Sequence, residues 1–149
     1  MTKGLQIGLT GEARTRVGEK NIASSGYKQG PIPVFATPAM VALMEKASLR
    51  AVEDVLSPGR IAVGSMVQVR HFRATPPGME VVATAKLVEV AGTRLIFQVE
   101  AFNEKEKIGA GIHERVIVST GEFIASAGSE AAPPDGDQAG QKQQEPGSC

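Results

Sequence analysis

Residues 35 to 78, FATPAMVALMEKASLRAVEDVLSPGRIAVGSMVQVRHFRATPPG, decide the fold, because they predict one long helix followed by a strand. Thr37 before Pro38 is typical of an N-cap residue followed by a first-turn proline, so the helix is expected to begin at or next to Thr37. Pro58-Gly59 then end the pattern, which predicts roughly five helical turns. The strand follows directly as VGSMVQVRHFR.

Two ionisable side chains lie where the pattern predicts apolar ones. The apolar arc of the helix comprises Met40, Val41, Met44, Ala47, Leu49, Ala51, Val52, Val55 and Leu56. Glu45 points into this arc, where a carboxylate is costly unless it is hydrogen-bonded or paired. His71 is in phase with the valines of the strand. Either residue alone is more often a satisfied core residue, but both together, near a threonine at a helix start, favour a site.

Composition limits the class of protein. A chain of 149 residues is long enough for one domain with a core. Its 16 basic and 16 acidic residues are balanced and form no basic cluster, which argues against nucleic acid as a partner. The one cysteine is Cys149, so no internal disulfide is expected, and no apolar run has the length of a signal peptide or membrane span. We therefore expect a cytoplasmic protein without a membrane partner.

The rest of the chain predicts mainly strands. Residues 5 to 17 alternate loosely and predict a first strand with a bulge around Gly11. Residues 18 to 34 are rich in Gly, Ser and Pro and predict a long connection, a candidate cover over the site. After the type II turn at Pro77-Gly78, three more strands are predicted, over residues 79–90, 93–102 and 107–118. The folded domain is predicted to span residues 1–124, and the polar residues 125–149 to form a disordered tail.

This order of elements predicts an α+β fold in which an antiparallel sheet wraps around one long central helix. The four strands after the helix are joined by short turns, so we expect neighbours in sequence to be neighbours in the sheet. One helix cannot cover both faces of such a sheet. A homodimer that shares an edge or a face is therefore expected.

Two glycines interrupt the last strand and carry two interpretations. Gly109 and Gly111 mark either a bulge or tight subunit contact, or a place where a ligand crosses the strand with His113 and Arg115 on the same face. An arginine there suits a phosphate, although the residues alone favour a surface charge for Arg115.

Three segments resemble the fluoroacetyl-CoA thioesterase family, whose members have the hotdog fold: VFATPAMVALME, GSMVQVRHFRATPPGM and IGAGIHER. The resemblance implies that Thr37, Glu45 and His71 form the catalytic group. It also implies that Gly64 lies at the acyl thioester and that Arg115 is associated with the coenzyme A portion.

The resemblance covers roughly residues 31 to 118, and it is weakest before the threonine. The fluoroacetate-specific enzyme has phenylalanines there as a lid, whereas this chain has Lys28 and Pro31, and its threonine is followed by Pro-Ala rather than Gly-Phe. The resemblance therefore implies thioester hydrolysis without implying fluoroacetyl-CoA as the substrate.

The residue types fit hydrolysis of an acyl-CoA thioester without a metal or cofactor, coenzyme A being part of the substrate. Thr37 would attack or position water, His71 would be the base, Glu45 would orient the imidazole, and the helix N-terminus would supply oxyanion donors. The substrate-binding residues would be Gly64, Gly111, His113 and Arg115.

Three competing interpretations remain. The first is a hotdog acyl-CoA hydratase or dehydratase, and the second is a non-catalytic acyl-CoA-binding module. The third is a structural dimer in which Glu45 and His71 are simply paired in the core.

Overall fold

The computed structural model describes residues 4–23 and 27–128. Its elements are β1 (Thr10–Arg16), β2 (Ile22–Ala23), β3 (Ile32–Phe35), α1 (Thr37–Val52), a 3-10 turn (Glu53–Val55), β4 (Arg60–His71), β5 (Glu80–Ala91), β6 (Arg94–Phe102), β7 (Lys107–Ser119) and α2 (Thr120–Ala127).

One compact unit extends to Val118, and α2 belongs to a second unit that begins at Ser119. Most of the predicted disordered tail, residues 129–149, lies outside the described residues. Its first residues, 125–127, belong to α2, which the sequence did not predict. No helix in residues 4–23 and 27–128 is both long and apolar enough to span a bilayer.

The main sheet has the strand order β1-β5-β6-β7-β4. The predicted pairing of β4 with β5 is therefore wrong, although the other consecutive pairs are correct. The reason is that β1 takes the place beside β5, with Ala13 opposite Ala83, and this pairing continues where Val17 exchanges hydrogen bonds with Gly78 and Met79. β4 instead lies beside β7, where the Phe72 N–H donates to the Ile108 carbonyl at 2.8 Å. β4 is thus an edge strand of this sheet.

The core lies between α1 and one face of the sheet. Seven residues of α1 are buried at helical spacing: Met40, Leu43, Met44, Ala47, Ser48, Ala51 and Val52. They pack with small and branched residues of the central strands, including Ala83, Ala85, Val99 and Ala101. Because each strand alternates faces, a single helix can cover this apolar face and leave the other face polar or partly exposed.

Gly11 lets the helix approach β1 closely. A Cβ placed on this glycine would overlap the Ala47 carbonyl oxygen and the Ala51 nitrogen of α1. The register between β1 and β5 runs without a shift from Thr10 to Arg16. The predicted bulge at Gly11 is therefore wrong, and close helix packing is the reason for the glycine.

β7 buries the face that the pattern marked as polar. His113 is only 1% exposed and Arg115 is 9% exposed, whereas Ile112 on the opposite face is 38% exposed. Both polar side chains hydrogen-bond to neighbouring groups, which offsets the cost of their burial. A surface position for Arg115, expected from the residues alone, is therefore wrong.

Candidate active site

Thr37 is the first residue of α1, and its hydroxyl is not used to cap the helix. The N-cap is Ala36, in an extended conformation, and no side chain caps the helix. The predicted capping role of Thr37 is thus wrong by one position, while the predicted helix start is correct. The Thr37 Oγ1 atom lies 2.8 Å from Nδ1 of His71 instead. A hydroxyl and an imidazole at this distance form the arrangement that base-activated nucleophiles need.

His71 is the last residue of β4 and is held in a partly buried position. Its ring meets the buried ring of Phe35 edge to face, with centroids 6.3 Å apart. Burial lowers the pKa of His71 below 6.5, and the nearby Arg73 backbone, which forms no hydrogen bond with either ring nitrogen, weakly opposes this shift. The ring is therefore uncharged at neutral pH and able to accept a proton.

The second ring nitrogen of His71 has no partner in the described part of the chain. Its Nε2 atom is buried and makes no hydrogen bond there. If Nδ1 accepts from the Thr37 hydroxyl, Nε2 must carry the proton, because a neutral imidazole has one donor and one acceptor. A buried N–H without an acceptor costs about 1 to 3 kcal/mol. The Nε2–H group of His71 therefore needs an acceptor from outside the described residues of this chain.

A cavity of about 870 Å³ opens beside Thr37 and His71. Its lining combines the helix start, the end of β4 and the connection before the helix: Lys20, Asn21, Ile22, Ala23, Tyr27, Val34, Phe35, Ala36, Thr37, Pro38, Ala39, His71, Phe72, Arg73 and Ala74. This volume is within the range of small-molecule sites, which are mostly apolar with a few directed polar groups. The predicted connection over residues 18–34 thus supplies part of the wall next to the hydroxyl.

The start of α1 leaves one backbone N–H, that of Thr37, without a backbone acceptor in the described part of the chain. The Ala39 and Met40 N–H groups both donate to the Ala36 carbonyl at 3.0 Å, and Pro38 has no N–H. Among the described residues, no backbone acceptor takes the Thr37 N–H. The helix start was expected to supply several oxyanion donors. The Thr37 N–H is the donor that remains, and the helix dipole adds a favourable partial charge.

Glu45 does not lie with Thr37 and His71 in one chain. It is eight residues along α1 from Thr37, which is about 12 Å at 1.5 Å per residue. The Glu45 charge raises the pKa values of His113 and Arg115 but is not among the influences on His71. The carboxylate instead lies beside Gly64, where a Cβ would stand 3.4 Å from Glu45 Oε2.

His113, Arg115 and Gly64 form a second polar group around Glu45. A Cβ on Gly64 would stand 3.3 Å from His113 Cε1 and 3.6 Å from Arg115 Nη1, so the three side chains face one small space. Burial is the largest influence on His113 and lowers its pKa, and burial also lowers the pKa of Arg115. The structure thus divides the predicted site residues into two groups.

Gly109 and Gly111 are explained by packing. A Cβ on Gly109 would overlap the Met40 side chain, and one on Gly111 would overlap the backbone of β4 at Gln68 and Val69. On the side where a side chain would project, neither glycine leaves room for a ligand. This packing lies within one chain and is not the predicted subunit contact, and it argues against the ligand interpretation. The register between β6 and β7 shifts next to Gly109, which fits the bulge interpretation there.

Sequence reasoning missed residues that hold or line the cavity. Asn21 accepts the Ala36 N–H through its carbonyl at 2.8 Å, and its side-chain oxygen accepts from the Gly18 N–H. This asparagine thereby ties the connection to the helix start. An asparagine in a Gly-rich turn was the one available signal, since such side chains bond the backbone locally. Tyr27 and Phe72 gave no periodic signal.

Comparison with known proteins identifies the family. The profile of the family described as FlK, fluoroacetyl-CoA-specific thioesterase, matches residues 17–121, which is more than half of the chain. The chain belongs to this family. The resemblance inferred from the three sequence segments is thereby confirmed.

Two FlK relatives and one more distant structure show what this chain is similar to. The fluoroacetyl-CoA thioesterase of Streptantibioticus cattleyicolor is 45% identical over 92 residues, which is 62% of this chain and 66% of that protein. A solved structure of the fluoroacetyl-CoA thioesterase FlK superimposes with a TM-score of 0.78 at 35% identity, covering 88% of this chain and 100% of its own. A hot-dog-like protein from Thermanaerovibrio acidaminovorans gives the same TM-score at 19% identity, over 87% and 96% of the two chains. The predicted hotdog fold is thus confirmed. A variant of FlK has also been solved in complex with acetyl-CoA.

Proposed function

We propose that this protein hydrolyses an acyl-CoA thioester to the free acid and coenzyme A, with Thr37 and His71 as the reacting pair. The observation that carries the proposal is the distance of 2.8 Å between Thr37 Oγ1 and His71 Nδ1, in the wall of a cavity large enough for a ligand. Membership of the FlK family supports the same reaction.

The pair supplies the attack and the proton transfers. His71 Nδ1 accepts the hydroxyl proton while Thr37 Oγ1 attacks the carbonyl carbon, and the Thr37 N–H faces the oxyanion. The carbon–sulfur bond then breaks, and His71 returns the proton to the coenzyme A sulfur. Water attacks the acyl-threonine, His71 takes its proton and passes it to Thr37 Oγ1, and the acid leaves. In a direct route, Thr37 orients the water, which attacks the thioester with the same base.

The role of Glu45 requires a second copy of the chain. One chain holds this carboxylate about 12 Å along the helix from Thr37, while His71 Nε2 is buried without an acceptor in the described residues. The active protein is a homodimer in which Glu45 of one chain accepts from His71 Nε2 of the other. The edge strand β4, which ends at His71, is the surface for this pairing.

The substrate is a coenzyme A ester whose acyl group differs from that of the fluoroacetate enzyme. Lys28 and Pro31 replace the aromatic residues expected of a fluoroacetyl lid. Lys20 and Arg73 in the cavity wall are cations that suit the phosphates of coenzyme A. Gly64, which lies beside Glu45, is the proposed contact for the thioester in the site that the second chain completes. No metal or further cofactor takes part, and the reaction occurs in the cytoplasm.

A thiol-release screen over short, branched and aromatic acyl-CoA esters tests the reaction. We expect Thr37→Ala and His71→Ala each to lower turnover by about a hundredfold or more, because each removes one member of the pair. Thr93→Ala, an exposed threonine in the β5–β6 turn, is the matched control. A Cys149→Ser background removes the protein's own thiol from the assay.

Each outcome decides between the functions. Binding of acyl-CoA in calorimetry without thiol release would identify a binding module instead. Hydration of an enoyl-CoA without thiol release would identify a hydratase. Near-normal rates in both variants would remove Thr37 and His71 from the mechanism.

A further inference from the structure

A buried cation next to Glu45 is the feature that the proposed reaction does not yet use. Arg115 projects from β7 toward β4, where its Nε and Nη2 groups both donate to the Ala62 carbonyl, at 3.1 and 2.8 Å. Its Nη1 group lies 3.1 Å from Nε2 of His113. With 9% exposure, the guanidinium belongs to the interior and not to a surface open to phosphates.

The partners of His113 determine which of its nitrogens carries the proton. Nδ1 lies 2.8 Å from the Met66 carbonyl oxygen, which can only accept, so Nδ1 must donate. Nε2 faces the Arg115 guanidinium, which can only donate, so Nε2 must accept. Both bonds exist together only in the neutral Nδ1–H tautomer. A second proton would place an N–H against the guanidinium and break the contact.

The fixed guanidinium faces Glu45 across Gly64. The Arg115 Nη1 and Glu45 Oε2 atoms both approach the position of a Gly64 Cβ, at 3.6 and 3.4 Å. The other charged group near this cluster is Glu114, which points to the opposite face of β7 and bonds to Ser65 and Arg94. From β6, the ring of Phe97 packs on His113 with centroids 6.3 Å apart. Arg115 is thus the cation that faces Glu45 in this cluster.

We propose that His113 and Arg115 are positioning residues: His113, in its Nδ1–H tautomer, and the Ala62 carbonyl fix the guanidinium so that it orients the Glu45 carboxylate. This inference rests on one part of the proposed function, namely that Glu45 takes part in hydrolysis. It assigns to Arg115 a role other than contact with the coenzyme A phosphates. Three of the five guanidinium N–H groups are already engaged, and at 9% exposure the guanidinium has little access to a phosphate in solvent.

Two substrates separate positioning from phosphate binding. One is the acyl-CoA that is hydrolysed fastest, and the other is the N-acetylcysteamine thioester of the same acid, which lacks every phosphate. We expect Arg115→Lys and His113→Leu to lower kcat about 10- to 100-fold with little change in KM, by the same factor for both substrates. His113→Gln keeps an acceptor near the Nε2 position and should restore most of the rate. Arg14→Lys, at an exposed arginine, is the matched control.

Several results would overturn the inference. A rise in KM for the acyl-CoA that is absent for the short thioester would assign Arg115 to the phosphates. If kcat fell equally in His113→Gln and His113→Leu, the hydrogen bond between His113 and Arg115 would have no positioning role, and His113 would act through packing alone. Unchanged kinetics in both Arg115→Lys and His113→Leu would remove the positioning role altogether.

A second readout does not depend on activity. The chain has two histidines, so nitrogen-15 NMR of labelled histidine gives two ring spectra, and the spectrum lost in His113→Gln belongs to His113. We expect that ring to show the Nδ1–H tautomer at neutral pH and to change in Arg115→Lys. A neutral Nε2–H ring would contradict the proposal. If the protein hydrolyses no thioester, the proposed function fails while this measurement still tests the positioning contacts.

Discussion

At the scale of single residues, the two histidines differ in the hydrogen-bond partners of their ring nitrogens, and their proposed roles follow from this difference. His71 has Nδ1 next to the Thr37 hydroxyl, and its Nε2 has no partner among residues 4–23 and 27–128, so the ring can exchange a proton. His113 has both nitrogens engaged by groups with fixed roles, so it cannot. The partners of the partly buried His71 and the fully buried His113 thus favour proton exchange at His71 and a fixed ring at His113.

The pH dependence of the rate tests the duty of His71. Because burial lowers its pKa, we expect kcat/KM to stay level at neutral pH and to fall only on an acid limb whose apparent pKa lies below 6.5. Initial rates in buffers of constant ionic strength would measure this limb. An apparent pKa well above 6.5 would contradict the assignment of His71 as the base.

The pH dependence of stability tests both histidines. In the unfolded chain each regains its ordinary pKa near 6.5, whereas burial lowers both values in the folded state. As the pH falls through 6.5, the unfolded chain therefore binds protons that the folded chain does not, and the free energy of unfolding decreases. The decrease levels off below the folded-state pKa values.

Urea titrations at several pH values measure this effect. His113→Gln removes one of the two titrating groups, so the decrease in the free energy of unfolding below pH 6.5 should become smaller. An increase in stability on acidification through this range would refute the lowered pKa values.

At the scale of elements, one close contact sets the position of the helix that carries Thr37 and Glu45. α1 lies against β1 at Gly11, without space for a side chain. β4 is held at its end to β7, so His71 is fixed relative to the sheet. The distance between hydroxyl and imidazole thus depends on how α1 and β4 are each anchored.

Gly11→Ala tests this anchoring. The added methyl group would overlap the helix backbone, which cannot yield as a side-chain end would, so we expect a loss of at least about 1 to 3 kcal/mol of stability. The rate should fall as well, because a displaced α1 moves Thr37 away from His71. Gly18→Ala is the control, since a Cβ there meets no described residue within 4 Å. Equal stability of the two variants in urea would contradict the close approach.

The sequence predicted the features that depend on local periodicity. It did not predict the features that depend on contacts between residues far apart in the chain. The start of α1 and the inward phase of His71 follow from spacing, and the structure joins Thr37 to His71. The neighbour of β4 is set by β1, a strand far away in sequence, which turn lengths do not reveal. The burial of His113 follows from contacts with Met66 and Arg115 that no alternation pattern encodes.

At the scale of the whole molecule, the site residues divide into two groups that one chain does not bring together. Thr37 and His71 line the cavity, and Glu45 lies with Arg115 and Gly64 further along α1. A second copy would unite them only if its Glu45 reached the first chain's imidazole. The proposed homodimer therefore completes the site as well as covering the β4 edge.

Mixing two inactive variants tests the shared site. Thr37→Ala and Glu45→Gln each lack one group, but a mixed dimer contains one site with both groups intact. Random exchange makes half of the dimers mixed, with one intact site of two, so about a quarter of the wild-type activity should return. Sedimentation velocity would verify the dimer. Activity that stays absent after proven exchange would contradict a site shared between chains.

The unusual cap of α1 has a consequence for engineering. Ala36 begins the helix without a side-chain acceptor, although serine there would be expected to add about 1 kcal/mol of stability. The same side chain lines the cavity next to Thr37, so a serine hydroxyl would compete with the threonine for the incoming carbonyl. Ala36→Ser should therefore raise the melting temperature and lower the turnover number. That result would show a trade of thermal stability for catalysis at the helix start, and more heat-resistant versions would then be better sought elsewhere in the chain.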